Sequence, residues 1–177
     1  MKFAIVVFPG SNCDHDAYHA TKYVLGQEAE FIWHKDAGLR GADAVILPGG
    51  FTHGDYLRTG AIARFSPIMQ EVRKFADQGG PVLGICNGFQ ILVRAGLLPA
   101  AGRRWVCQAS LIHNESGRFE DRWVRLGFEV RSPCVWTRGM GEIEVPVRHG
   151  EGNLEFAGPE VLARLEGSGQ VCARYLS

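Results

Sequence analysis

The sequence predicts an α/β fold: a doubly wound, mostly parallel sheet with flanking helices, and antiparallel additions in the second half. Three observations carry that prediction. Phe3–Phe8 and Asp43–Leu47 are nearly unbroken apolar runs, as expected of strands covered on both faces. Amphipathic stretches with helical spacing separate such runs, and strand–helix units of this length imply right-handed crossovers and parallel pairing. Beyond Arg103 the apolar runs become shorter and more polar, broken by Gly, Pro and Ser.

Taken in order, Phe3–Phe8 is the first strand. Pro9, Gly10, Ser11 and Asn12 form a loop in which Ser11 or Asn12 is placed to cap a helix running to Leu25. A short strand follows at Ala29–Trp33, and Asp43–Leu47 is a buried strand closed by Pro48-Gly49-Gly50. Phe51–Gly60 reads as a polar loop. Ile62–Gln78 has helical spacing, with Ile68, Val72 and Phe75 on one face and Gly79-Gly80 at its end. Pro81–Cys86 is a strand again and Gly88–Ala95 a helix. In the second half, Trp105–Ile112, Trp123–Val130, Cys134–Thr137, Glu142–Arg148 and Val171–Leu176 are expected strands around the sheet edge, with a short helix at Pro159–Leu165. No linker, internal repeat or low-complexity tract interrupts residues 1–177, which read as one domain.

Bulk composition excludes several functions. The 177 residues are 46% hydrophobic and 21% charged, ordinary for a globular domain long enough to bury a core. The 19 basic residues balance 19 acidic ones, and no basic tract would follow a phosphate backbone, so nucleic acid is not an expected partner. No apolar run reaches the ~18 residues of a membrane span. The stretch after Met1 is too short, and lacks a small-residue cleavage site, to be a signal peptide. The five cysteines Cys13, Cys86, Cys107, Cys134 and Cys172 are odd in number and scattered. That argues against a disulfide framework or zinc site and for a reducing, cytoplasmic setting.

The sharpest local signal is Gly84-Ile85-Cys86-Asn87-Gly88, a G-x-C-x-G where a buried strand turns into a helix. This is the nucleophile-elbow pattern with Cys in place of Ser. A Cβ at either glycine would crowd the neighbouring strand and helix. A sulfur at a helix N-terminus is expected to favour the thiolate relative to a free thiol of pKa ~8.5. The N–H of Asn87 is placed to stabilise an oxyanion. The glycines of Leu47-Pro48-Gly49-Gly50-Phe51 lie at the same end of another strand, the ligand-binding edge of an open parallel sheet, and the Gly50 N–H could complete the oxyanion hole.

The run Gly84-Ile85-Cys86-Asn87-Gly88-Phe89-Gln90 resembles the elbow of class I (triad-type) glutamine amidotransferases, whose fold is flavodoxin-like. Phe8-Pro9-Gly10-Ser11-Asn12-Cys13-Asp14, the Pro48-Gly49-Gly50-Phe51 loop, Gly54-Asp55-Tyr56-Leu57-Arg58, Ala95-Gly96-Leu97-Leu98-Pro99 and His149-Gly150-Glu151-Gly152 extend the likeness over the chain. They narrow it to the glutaminase subunits of phosphoribosylformylglycinamidine synthase. The resemblance implies that Cys86 attacks the glutamine carboxamide, with Gly50 and Asn87 forming the oxyanion hole and Gly49 and Gln90 binding glutamine. The partners implied are a synthetase subunit, which carries ATP and magnesium, and a small third subunit. No cofactor is expected on this chain, and no Walker-type loop occurs in it.

The resemblance also implies a His-Pro-Glu segment completing the triad, and none occurs in residues 1–177. It is therefore expected beyond Ser177. His149 and Glu151 reproduce the H-x-E spacing and are the substitute base and its orienting group, although a role in shaping the site or docking the synthetase fits this segment better. His15 and His19 are expected as partly exposed helix residues, and His53 near the site mouth. Cys13 is expected to line the site, and Cys107, Cys134 and Cys172 to lie in the core. Arg58 and Arg64 invite a phosphate reading, against which solvated ion pairs are commoner; Asp55-Tyr56-Leu57-Arg58 is expected to face the synthetase. Two rivals remain: a cysteine hydrolase or chaperone-like protein with the same elbow, and an interaction subunit that binds without turnover.

Overall fold

The computed structural model describes residues 1–55, 58–102 and 105–176. The chain groups into two compact units, Met1–Leu97 and Leu98–Ser177. The first holds the parallel sheet. Its strands are β1 (Lys2–Val7), β2 (Glu28–Trp33), β3 (Ala44–Leu47) and β4 (Val82–Gly84), in the order β2-β1-β3-β4 and all parallel. β1 and β3 are the inner strands and their apolar runs are buried, with Ile5, Val6, Val45 and Leu47 inaccessible to solvent. β2 is an edge strand, where Glu30 takes ion pairs from Lys2 at 2.9 Å and from Arg40. Strand order reverses between β1 and β3, so the crevice for a ligand opens above their C-terminal ends.

Among the described residues, the helices α1 (Asp14–His19), α2 (Pro67–Asp77) and α3 (Asn87–Arg94) flank this sheet. α1 widens into a π-type turn over Ala20–Val24, with the Leu25 N–H reaching Ala20 O at 2.9 Å. Neither Ser11 nor Asn12 caps it. The N-cap is Cys13, and the Ser11 hydroxyl instead accepts from the Phe8 N–H at 3.1 Å, which turns the chain after β1. α2 begins five residues later than its spacing predicts, because Pro67 holds Ser66 extended and a separate 3-10 turn occupies Ala63–Phe65. Ile68 and Val72 are buried as expected, and Phe75 is half-buried.

The second unit contains β5 (Ala109–Ile112), β6 (Glu120–Phe128), β7 (Glu142–His149), β8 (Asn153–Phe156), α4 (Pro159–Gly167) and β9 (Ala173–Leu176). Its strands are antiparallel, as predicted, but they pair among themselves rather than lengthening the parallel sheet: β5 with β8, and β7-β6-β9. Val161 and Leu165 of α4 pack with Ala101, Phe156 and Val171. The expected strand at Cys134–Thr137 is a turn closed by Thr137 N–H to Cys134 O at 3.4 Å. β5 starts four residues late because Trp105 takes a left-handed φ of 64°. Cys107 is exposed rather than buried, with its thiol donating to Ala109 O at 3.2 Å, and Cys134 and Cys172 are half-buried. Among the described residues no helix is long and apolar enough to cross a membrane.

Candidate active site

Three loops meet at the C-terminal edge of the parallel sheet. The loop after β1 and the loop after β3 are laced by backbone bonds: Asn12 and Cys13 N–H to Gly49 O, each at 3.2 Å, Phe51 N–H to Gly10 O at 2.8 Å and His53 N–H to Pro9 O at 2.7 Å. Gly50 permits this closeness. Its φ is 147°, and a Cβ there would stand 2.5 Å from Gly10 O and 2.6 Å from Asn12 N. The third loop is the turn from β4 into α3, and Cys86 sits on it.

Cys86 is exposed and has φ 52° and ψ −112°, a conformation that costs a non-glycine residue about 1–3 kcal/mol. The sequence expectation for its flanking glycines holds in detail. A Cβ at Gly88 would overlap the Leu47 carbonyl and approach Leu47 Cβ to 2.9 Å; one at Gly84 would meet Leu92 Cδ1 at 2.6 Å and Gly88 C at 2.8 Å. Neither glycine has a positive φ, so both are required by close approach alone. As the first residue of α3, Asn87 has a backbone N–H with no partner inside the helix.

Gly49 brings two cysteines to one place. A Cβ on it would lie 3.4 Å from Cys13 Sγ and 3.5 Å from Cys86 Cβ, so Cys13 lines the same corner as Cys86. Burial, and after it Asp16 and Cys86, push the Cys13 thiol above its ordinary value of 9.0.

Sequence reasoning missed the Asn87 side chain. It is wholly buried. Its Oδ1 accepts from the Thr52 N–H at 3.1 Å, and its Nδ2 donates to Gln90 Oε1 at 3.0 Å and faces both Asp55 carboxylate oxygens at 3.4 Å. Nearby, Thr52 Oγ1 and His53 Nε2 are buried with no hydrogen-bond partner among the described residues. His34 is buried too, with Nδ1 3.0 Å from Ser66 Oγ and its ring 5.4 Å from that of His53. Of the segment Asp55-Tyr56-Leu57-Arg58, Tyr56 and Leu57 lie outside the described residues. Arg64 donates to Arg94 O at 3.3 Å and lies over the Phe65 ring, so the fold uses it locally. His15 and His19 are exposed helix residues, packed beside Phe31 and Tyr23.

In the second unit, His149 ends β7. Its Nδ1 donates to Asn114 Oδ1 at 2.9 Å, so an amide rather than a carboxylate fixes this nitrogen. Glu151 stands 3.8 Å from His113 Nδ1. Among the described residues no group of three or more His, Cys, Asp or Glu could hold a metal ion.

The model of the CobB/CobQ-like glutamine amidotransferase domain matches residues 1–177. The chain belongs to this glutamine amidotransferase family. It is 53% identical over 177 residues to the phosphoribosylformylglycinamidine synthase subunit PurQ of Salinibacter ruber, covering 98% of this chain and 71% of that protein. With the PurQ subunit of Rubrobacter xylanophilus it shares 52% identity over 179 residues, covering 99% and 76%. Among solved structures it is similar to PurLQS from Thermotoga maritima, with a TM-score of 0.80 and 36% identity, covering 99% of this chain and 74% of that one. This likeness favours the amidotransferase over the cysteine-hydrolase reading of the same elbow.

Proposed function

We propose that this chain hydrolyses glutamine through a thioester on Cys86 and supplies the ammonia to a synthetase that makes formylglycinamidine ribonucleotide in purine biosynthesis. Its relatives named as subunits of phosphoribosylformylglycinamidine synthase support the reaction and the synthetase partner. The observation that carries the chemistry is the position of Cys86: an exposed thiol in a strained backbone at the start of α3, beside Gly49 at the sheet's switch point.

In the proposed reaction, Sγ attacks the side-chain carbonyl carbon of glutamine. The N–H groups of Gly50 and Asn87 hold the oxyanion, and ammonia leaves as the thioester forms. Water then attacks the thioester carbonyl, releasing glutamate and restoring the thiol. Gly49 and Gln90 bind the glutamine. The resemblance gives the base to a His-Pro-Glu segment, which does not occur in residues 1–177, and none of these residues is assigned that role. His149 and Glu151 shape the second unit in this reading. ATP and magnesium act on the synthetase, a small third subunit joins the complex, and the assembly works in the cytoplasm.

The test is labelling by a glutamine-analogue diazoketone, alone and with the synthetase, followed by peptide mapping. Labelling at Cys86 together with synthetase-dependent glutaminase activity supports the reading. Activity on unrelated carbonyl substrates without labelling at Cys86 would restore the cysteine-hydrolase reading, and binding to the synthetase without turnover would leave an interaction subunit.

A further inference from the structure

We infer that the Asn87 side chain is a positioning residue that locks the oxyanion loop and the glutamine-binding Gln90 into one unit. The inference rests on the reading above and extends it to a group that touches no substrate. Asn87 is completely buried, and its amide is used at both ends. Oδ1 accepts from the Thr52 N–H at 3.1 Å, two residues after Gly50, so it fixes the loop that presents the Gly50 N–H. Nδ2 donates to Gln90 Oε1 at 3.0 Å, which decides which end of the Gln90 amide is turned inward and which is turned away. The same Nδ2 faces Asp55 Oδ1 and Oδ2 at 3.4 Å, further along the same loop.

Only an amide of this length can accept from one loop and donate to the other two groups. An aspartate keeps the acceptor for Thr52 but turns the donor into an anionic oxygen. That oxygen would face Gln90 Oε1 and the Asp55 carboxylate, both repulsive in a dry setting. Gln90 can answer by rotating its amide, which exchanges the group it shows to glutamine. Asp55 has no such rotation.

These responses separate in kinetics. In the chain assayed with its synthetase, Asn87→Asp is expected to raise KM for glutamine about tenfold, as one hydrogen bond to substrate is lost. It is also expected to lower kcat about a hundredfold, as the oxyanion loop shifts. Adding Asp55→Asn restores a donor opposite the new carboxylate, so the double variant should recover most of kcat while KM stays high. A purely structural role for Asn87 would leave both constants alone in folded protein, or would let the double variant recover KM and kcat in parallel. Either result, or a double variant with no better kcat than the single one, overturns the inference. If Asn87→Asp does not fold, the double variant decides alone: raised KM with near-native kcat supports the lock, and native KM removes it. Labelling of the unaltered chain by the diazoketone is the accompanying control. Its absence at Cys86 would defeat the proposed function, whereas labelling with unaltered Asn87 kinetics would defeat this inference only.

Discussion

At Cys86 the backbone adopts φ 52° and ψ −112°, a left-handed conformation kept although it costs about 1–3 kcal/mol. The surrounding contacts enforce it: the Ile85 N–H is held by Leu47 O at 3.0 Å, and the Gly88 N–H turns back onto Ile85 O at 2.9 Å. The thiol is thereby lifted out of the sheet to the start of a helix. Cys13 sits beside it, and burial, then Asp16, push its thiol above the ordinary 9.0. Glutamine-analogue labelling should therefore map to Cys86. Cys86→Ala should lower glutaminase activity by at least about a thousandfold, whereas Cys13→Ser should still be labelled at Cys86. Labelling that follows Cys13 in peptide maps would reverse the two assignments. The Gly-x-Cys-x-Gly spacing made Cys86 and both glycines legible in the sequence. The Asn87 side chain was not, because its partners Thr52 and Asp55 come from a loop more than 30 positions away and carry no periodic mark.

Elements place these residues through close approach, and glycine substitutions measure it. At Gly88 an added Cβ would overlap the Leu47 carbonyl, where α3 crosses the end of β3. Gly38 has no atom within 4 Å of an added Cβ and no left-handed φ. Gly88→Ala is expected to cost about 3 kcal/mol or more, and Gly38→Ala to stay within about 0.5 kcal/mol, by urea unfolding of both. Equal midpoints would show that the elbow yields without cost. In the second unit Asn114 plays the organising part for the turn after β7. Its Nδ2 donates to Arg118 O and His149 O, both at 2.8 Å, while Oδ1 accepts from the Gly152 N–H at 3.0 Å and from His149 Nδ1 at 2.9 Å. Gly152 leaves room for that ring, since a Cβ there would be 2.6 Å from His149 Nε2. Asn114→Ala should destabilise the protein by about 1–3 kcal/mol in thermal unfolding. His149→Gln should leave glutaminase activity within a few-fold, and a loss of several orders of magnitude would make His149 the base. Strand legibility followed burial. Inner strands β1 and β3 announced themselves as apolar runs, and β7 as one of the shorter, more polar strands. The four-residue β8 carried no such mark, and Cys134–Thr137, expected as a strand, folds as a turn.

The molecule as a whole carries equal numbers of acidic and basic residues, so net charge gives it no strong pH dependence near neutrality. A local source exists in the first unit. His34 follows β2, and its main chain and side chain both tie down the start of α2: Nδ1 lies 3.0 Å from Ser66 Oγ, and its carbonyl accepts from the Ile68 N–H at 3.1 Å. Burial first, then the facing His53 and nearby Lys35, hold this imidazole below its ordinary value of 6.5. The unfolded chain therefore takes up the proton before the folded one does. Stability from this group is level above about pH 6.5 and declines as the pH falls through the window down to the lower folded value. Replacing His34 by Gln keeps a side-chain partner for Ser66 and removes the titration. Melting temperatures of both proteins, followed from about pH 7.5 to about pH 5, should diverge in slope, with the unaltered chain losing stability more steeply below about pH 6.5. Parallel curves would mean that His34 binds its proton equally well folded and unfolded. His34 has no distinction in the sequence, since one histidine after a strand has no pattern; the fold brings Ser66 and His53 to it, from 32 and 19 positions away.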